Sequence, residues 1–189
     1  MDALKLLIAD HNRVKGLFSR FKDAHEADDV DAMGARAMEI ATELEVHTTI
    51  EEEIFYPWIR DLSSEIAETV DEGVEEHHVV KILLEEVSAL EAGSETWVAK
   101  MTVIIENVEH HAKEEEAEMF PKVRSASDAE ARDELGARLD ARKGELGAPM
   151  LADTIDLTDD QLHELATAQA IPGRSSMAHD ELAASVSPS

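Results

Sequence analysis

Apolar residues recur at alternating spacings of three and four in four stretches of the chain. The first aligns Leu4, Leu7, His11, Val14, Phe18 and Phe21, and the second Met33, Ala37, Ile40, Leu44, His47, Glu51, Ile54 and Trp58. The third aligns Ile66, Val70, Gly73, His77, Val80, Leu84 and Val87, and the fourth Trp97, Met101, Ile104, Val108, His111 and Glu115. Such spacing keeps one stripe on one side of a helix, the seam of a helical bundle. Polar breaks separate the stripes: EADDVD at 26–31, with Asp31 as candidate N-cap, RDLSS at 60–64 and EAGSE at 91–95. Short connections favour antiparallel neighbours, so the pattern predicts an all-α, up-down-up-down four-helix bundle. DAEARDELGARLDARKGEL, 128–146, reads as a fifth, mostly exposed helix.

Each seam is interrupted by residues that should not be there. Helix one contributes His11, helix two His47 and Glu51, helix three His77, and helix four His111 and Glu115. Burying carboxylates and imidazoles is expensive unless they pair with each other or hold a metal. One such histidine would be an ordinary hydrogen-bonded core residue; six coordinating side chains on four facing seams point to a metal site. The register also chooses between neighbours: His77 and His111 lie on their seams, which leaves His78 and His110 in flanking or outer positions.

The halves repeat. ADHNRVKGLF (9–18) aligns with EEHHVVKILL (75–84), and HTTIEEEIFYP (47–57) with HAKEEEAEMFP (111–121). Each half is therefore a helical hairpin offering one His, then His-x-x-x-Glu, whose i and i+4 side chains share a face. Two hairpins around a pseudo-twofold axis suit two metal ions side by side. Two six-coordinate ions need about twelve bonds, of which four imidazoles and two bridging carboxylates supply about eight. A shared oxygen bridge would leave positions for a small ligand. Ferritin-like sites differ, using four carboxylates and two Glu-x-x-His motifs; the one such spacing here, Glu75 to His78, is off the seam.

Composition narrows the chemistry. There is no cysteine, which excludes disulfides, thiolate sites and cysteine nucleophiles, and leaves O and N donors suited to iron, manganese or zinc. Hydrophobic residues make up 43% of the chain but aromatics only 4%, so aliphatic side chains must fill the core. A net charge of −26 argues against nucleic acid as a partner, because phosphate contacts need cations. No apolar run is long enough to span a membrane and the N-terminus lacks a signal-peptide pattern, so the chain reads as cytoplasmic.

His11, HTTIEEEIFYP, EEHH and HAKEEEAEMFP together resemble the hemerythrin-like, or HHE cation-binding, family over roughly residues 1–125. The resemblance implies a non-haem di-iron centre that reacts with dioxygen, hydrogen peroxide or nitric oxide. It carries the ligand roles to His11, His47, Glu51, His77, His111 and Glu115. Oxygen-carrying members have a second histidine one turn from the third-helix ligand; here those positions are Gly73 and Lys81. That departure turns the resemblance from reversible oxygen carriage toward the actinobacterial hemerythrin-like proteins and peroxide decomposition. Tyr56 is the candidate catalytic side chain. Ideal spacing puts it off the seam, where structural packing is the default role; a bulge at Pro57 could instead rotate it toward the metals, where it could donate a hydrogen bond or ligate. Its counterpart is Phe120, so the halves differ there. Lys15, Lys81, Glu52, Glu53, Glu114 and Glu116 read as solvated.

After residue 148 the chain changes character. DLTDDQLHELATAQAIPGRSSMAHDELAASV, 156–186, reads as a helix from Thr158, an extended IPGRSS loop and a second helix from Ala178; SVSPS should be disordered. This segment resembles the Rho N-terminal/SAP-like helix-extended-loop-helix motif. Arg174 is its one cation, so docking to the bundle or to a protein partner is expected rather than nucleic-acid binding. The expected organisation is bundle 1–125, extra helix 126–148, and linker with small motif 149–189. Two readings stay beside the enzyme: a sensor of oxygen, nitric oxide or iron signalling through the C-terminal segment, and a helical interaction module with structural histidines.

Overall fold

The structure, a computed structural model, describes residues 1–147, 162–163, 166–167 and 170–186. Every described element is helical. In chain order they are α1 (Ala3–Glu26), α2 (Val30–Ile50), α3 (Tyr56–Arg60), α4 (Ser64–Ser88), α5 (Glu95–Glu114), α6 (Phe120–Ala126), α7 (Ala129–Glu145) and α8 (His179–Ser185). Helix starts are fixed by side-chain caps that satisfy free backbone donors. Asp2 accepts from Leu4 N (2.9 Å), Asp29 from Ala32 N (3.0 Å), Ser63 from Ile66 N (3.2 Å) and Asp128 from Ala131 N (2.8 Å). The second helix is thus capped by Asp29, two residues before the expected Asp31.

α1 packs on α2, α2 on α4, α4 on α5, and α5 back on α1, closing an up-down-up-down bundle. Two wider turns, Glu51–Phe55 and Glu115–Met119, join α2 to α3 and α5 to α6 as single-turn π bulges. Proline dictates them. Pro57 and Pro121 carry no N–H, so the carbonyls four residues earlier lose their donors. The preceding residues bond one step further back: Tyr56 N–H to Glu51 O, and Phe120 N–H to Glu115 O. One extra residue rotates everything beyond it by about 100°. Hence Phe55, Tyr56 and Ile59 are buried, whereas the expected Ile54 and Trp58 are only partly covered.

The core is split by a polar layer. One apolar cluster gathers Leu4, Leu7, Ile50, Phe55, Ile59, Ile66, Val70 and Val123; the other gathers Val14, Phe18, Leu44, Val80, Trp97, Met101 and Ile104. His11 lies on α1 between Leu7 and Val14, at the boundary of the two.

α7 departs from its expected exposure. Arg132, Leu135, Gly136, Leu139 and Lys143 form a buried stripe against α1, α2 and the first π bulge. Gly136 is required there: a Cβ would collide with the backbone carbonyl of Met1. Toward the C-terminus, α8 packs on α1, and Leu162, Ala166, Ile171, Leu182, Ala183 and Val186 make a small apolar cluster. The expected extended loop is instead a left-handed Gly173 followed by a 3-10 turn, Arg174–Ser176, held by Arg174 on Ile171 O (3.2 Å). Ser185 and Val186 are buried rather than disordered. The expected helix start at Thr158 and the last three residues lie outside the described residues. Among the described residues no helix is long and apolar enough to cross a membrane.

Candidate metal centre

The polar layer consists of His11, His47, Glu51, His77, His111 and Glu115, all at most 6% exposed. Each carboxylate bridges the two halves. Glu51 Oε2 lies 3.3 Å from His47 Nε2 and 3.3 Å from His77 Nε2. Glu115 Oε2 lies 3.3 Å from His11 Nε2 and 3.7 Å from His111 Nε2. The donor atoms fall into two groups compact enough to hold an ion each, His11, His47, Glu51 and Glu115, and Glu51, His77 and His111, with Glu51 common to both.

All four Nε2 atoms face inward, and each Nδ1 faces a carboxylate. His11 Nδ1 donates to Glu116 (2.8 Å), His77 Nδ1 to Glu52 (3.0 Å) and His111 Nδ1 to Glu76 (2.6 Å). His47 Nδ1 faces Asp10 Oδ2 at 3.8 Å. The three hydrogen-bonded partners fix the tautomer and ring orientation that a metal-binding imidazole needs, whereas His47 Nδ1 and Asp10 Oδ2 face each other with no hydrogen bond between them. The four carboxylates obey the internal repeat: Asp10 aligns with Glu76, and Glu52 with Glu116. Lys15 and Lys81 secure the latter pair, on Glu116 (3.0 Å) and Glu52 (2.7 Å). Glu52 and Glu116 are therefore not the solvated residues expected. His78 and His110 are exposed, and His110 pairs with Glu114 at 3.3 Å instead of backing the centre.

Both Glu51 oxygens, Glu115 Oε2 and His11 Nε2 are buried with no hydrogen-bond partner. Such orphans are costly unless a cation satisfies them. The charges point the same way. Burial, together with the neighbouring Glu115 charge, lifts Glu51 to about 7. Burial opposes charge on His11 and His111, but the surrounding carboxylates prevail and raise each to about 9. Burial and the charge of His111 lower His77 to about 4. Burial opposes ionisation of Glu115 too, but His111 and His11 outweigh it and hold its carboxyl well below the usual range. The centre gathers negative charge that protons neutralise when no metal does.

Tyr56 reaches this centre because the π bulge turns it inward. Its hydroxyl donates to Glu115 Oε1 at 3.0 Å and lies 3.4 Å from Nε2 of both His77 and His111. Gly73, one turn before His77, makes the room: a Cβ there would meet the phenol oxygen at 2.9 Å. Burial and the Glu115 charge keep this phenol protonated, its pKa raised well above 10. Phe120 occupies the matching place in the other half and stacks on His11, centroids 6.0 Å apart. On the opposite side an apolar pocket leads to the imidazoles, walled by Val14, Phe18, Leu44, Val80 and Val108.

This arrangement fits the sequence comparison. The hemerythrin HHE cation-binding domain matches residues 2–123. The chain belongs to the hemerythrin HHE cation-binding family. The family domain and the buried His/Glu groups together point to a metal-binding, hemerythrin-like protein. A protein from Nostoc sp. named a DNA nickase is 23% identical over 146 residues, 77% of this chain and 40% of that protein. The chain thus spans about two-fifths of that relative's length. No solved structure matches the chain.

Proposed function

We propose that the hemerythrin-like centre holds two iron ions and reacts with a small oxidant, hydrogen peroxide foremost, with dioxygen and nitric oxide as related ligands. His11, His47, Glu51 and Glu115 would hold one ion, and Glu51, His77 and His111 would hold the other. The observation that carries the reading is the convergence of orphaned Glu51 and Glu115 oxygens with inward-facing Nε2 atoms. The irons would supply the redox chemistry, passing between ferrous and ferric states. The chain supplies the rest. Val14, Phe18 and Val80 exclude water from the approach. Tyr56 holds a proton at its hydroxyl, between Glu115 and the His77–His111 pair, ready to bond a small oxygen ligand. Overall, two peroxides give two waters and one dioxygen, with no external reductant.

In this proposal residues 1–125 form the reacting unit, 126–148 support it, and 149–189 form an appended segment; the setting is cytoplasmic oxidative defence. The test is peroxide addition to the iron-loaded chain with an oxygen electrode: oxygen release at half the rate of peroxide loss supports the reading, and peroxide left intact contradicts it. One observation favours a sensing role beside it: α8 lies on α1, the helix of His11, with Lys5 Nζ 4.0 Å from Glu181. Removing residues 150–189 separates the two readings, since an enzyme keeps its turnover and a sensor loses its output. DNA chemistry is not proposed; a surface of net charge −26 opposes a polyanion.

A further inference from the structure

Three of the four carboxylates behind the histidines are partly buried glutamates, 25–31% exposed, but the fourth, Asp10, is 3% exposed and sits among buried cations. Lys143 Nζ forms an ion pair with Asp10 Oδ1, and Arg13 Nη2 lies 3.2 Å from the same oxygen. Arg13 Nε in turn lies 3.3 Å from Glu43. Lys143, itself 3% exposed, comes from α7, twenty residues beyond the stretch that matches the family domain. Its neighbour Arg142 grips the first π bulge, with Nε and Nη2 on the Glu53 carboxylate at 2.8 and 3.2 Å. Adjacent residues of α7 thus hold the turn that carries Glu51 and the aspartate that faces His47.

A buried lysine–aspartate pair is a poor device for stability alone, since desolvation offsets most of the attraction. It does give Asp10 one fixed orientation: Oδ1 is taken by the cations, and Oδ2, with no hydrogen-bond partner of its own, faces His47 Nδ1 at 3.8 Å as the nearest charge behind that imidazole. The matching positions in the other half, Glu76 for Asp10 and Val79 for Arg13, carry no such cluster.

We infer that Lys143 is a positioning residue of the metal centre: through Asp10 it sets the His47 imidazole, and α7 is part of the site although it lies outside the family domain. This rests on the proposed two-ion site. Only one of the two ions, the one held by His11 and His47, depends on Lys143.

The test titrates cobalt(II) into the metal-free full-length chain, resolving two binding constants by optical absorption and chelator competition. The parent should bind two ions; a parent that binds none would refute the site itself, separately from this inference. Lys143→Met should weaken one of the two constants by about tenfold or more and leave the other unchanged. Because Lys143→Met leaves the buried Asp10 carboxylate with Arg13 as its one close cation, Asp10→Asn/Lys143→Met is measured beside it. That variant should regain the parent's unfolding temperature and still show one weakened constant. Lys143→Arg, which keeps a cation on Asp10, should stay near the parent. The inference is overturned if the double variant, or a folded Lys143→Met, binds both ions as tightly as the parent. A lower unfolding temperature with both constants intact would reduce Lys143 to a structural role and equally overturn it.

Discussion

Tyr56 differs from Phe120 by one oxygen, and that oxygen lies 3.0 Å from Glu115 and 3.4 Å from two imidazoles. Removing it isolates its contribution. Tyr56→Phe should keep both ions while slowing peroxide turnover by about a hundredfold, the range for a lost proton donor; unchanged turnover would return Tyr56 to packing alone. Gly73 offers a second probe. Gly→Ala inside a helix ordinarily stabilises by about 1 kcal/mol. Here the new Cβ would meet the phenol oxygen at 2.9 Å, so Gly73→Ala should cost about 1–3 kcal/mol instead. The cost should shrink in a Tyr56→Phe background; urea unfolding of the four variants gives the coupling, and additivity would show that the two groups do not meet.

At the scale of elements, α7 and the two π bulges hold the molecule's departures from its simplest plan. Leu139 is fully buried, so Leu139→Ala should lower unfolding free energy by about 2–5 kcal/mol. A change under about 0.5 kcal/mol would mean α7 is the exposed helix its composition suggests. The bundle seams were legible because His11, His47, His77 and His111 keep the apolar period of their helices. Past Glu51 and Glu115 that period stops being a guide, because each π bulge adds a residue. Pro57 and Pro121 mark both bulges, and at Pro57 that signal left an inward turn of Tyr56 open beside plain packing. The outer carboxylates were half-legible: Asp10/Glu76 and Glu52/Glu116 recur in both repeats, but only packing decides that they meet imidazoles rather than water. On α7 the spacing of Arg132, Leu135, Leu139 and Lys143 follows one helix face, but a stripe with two cations among four residues does not read as buried from sequence.

For the whole molecule, the centre links stability to pH and metal. Without metal, His11 and His111 titrate at about 9 when folded, against about 6.5 unfolded. The folded state therefore binds more protons between these values. This stabilisation is complete below about 6.5 and is lost as pH rises through about 9. The metal-free chain should therefore melt at progressively lower temperature from pH 6.5 to 9 in differential scanning calorimetry. The loaded chain should not follow this trend, because bound ions take the place of those protons; metal affinity itself should rise with pH. Parallel melting profiles with and without metal would show that the imidazoles are not the ligands.

Glu51 belongs to both donor groups, so metal content of the parent and of Glu51→Ala, measured with protein concentration, tests the centre most directly. Two ions per parent chain, and loss of the paired site in a Glu51→Ala variant that remains helical, are the expected results. Two ions retained without Glu51, or no metal in the parent under iron-replete conditions, would contradict a shared carboxylate at the heart of this protein.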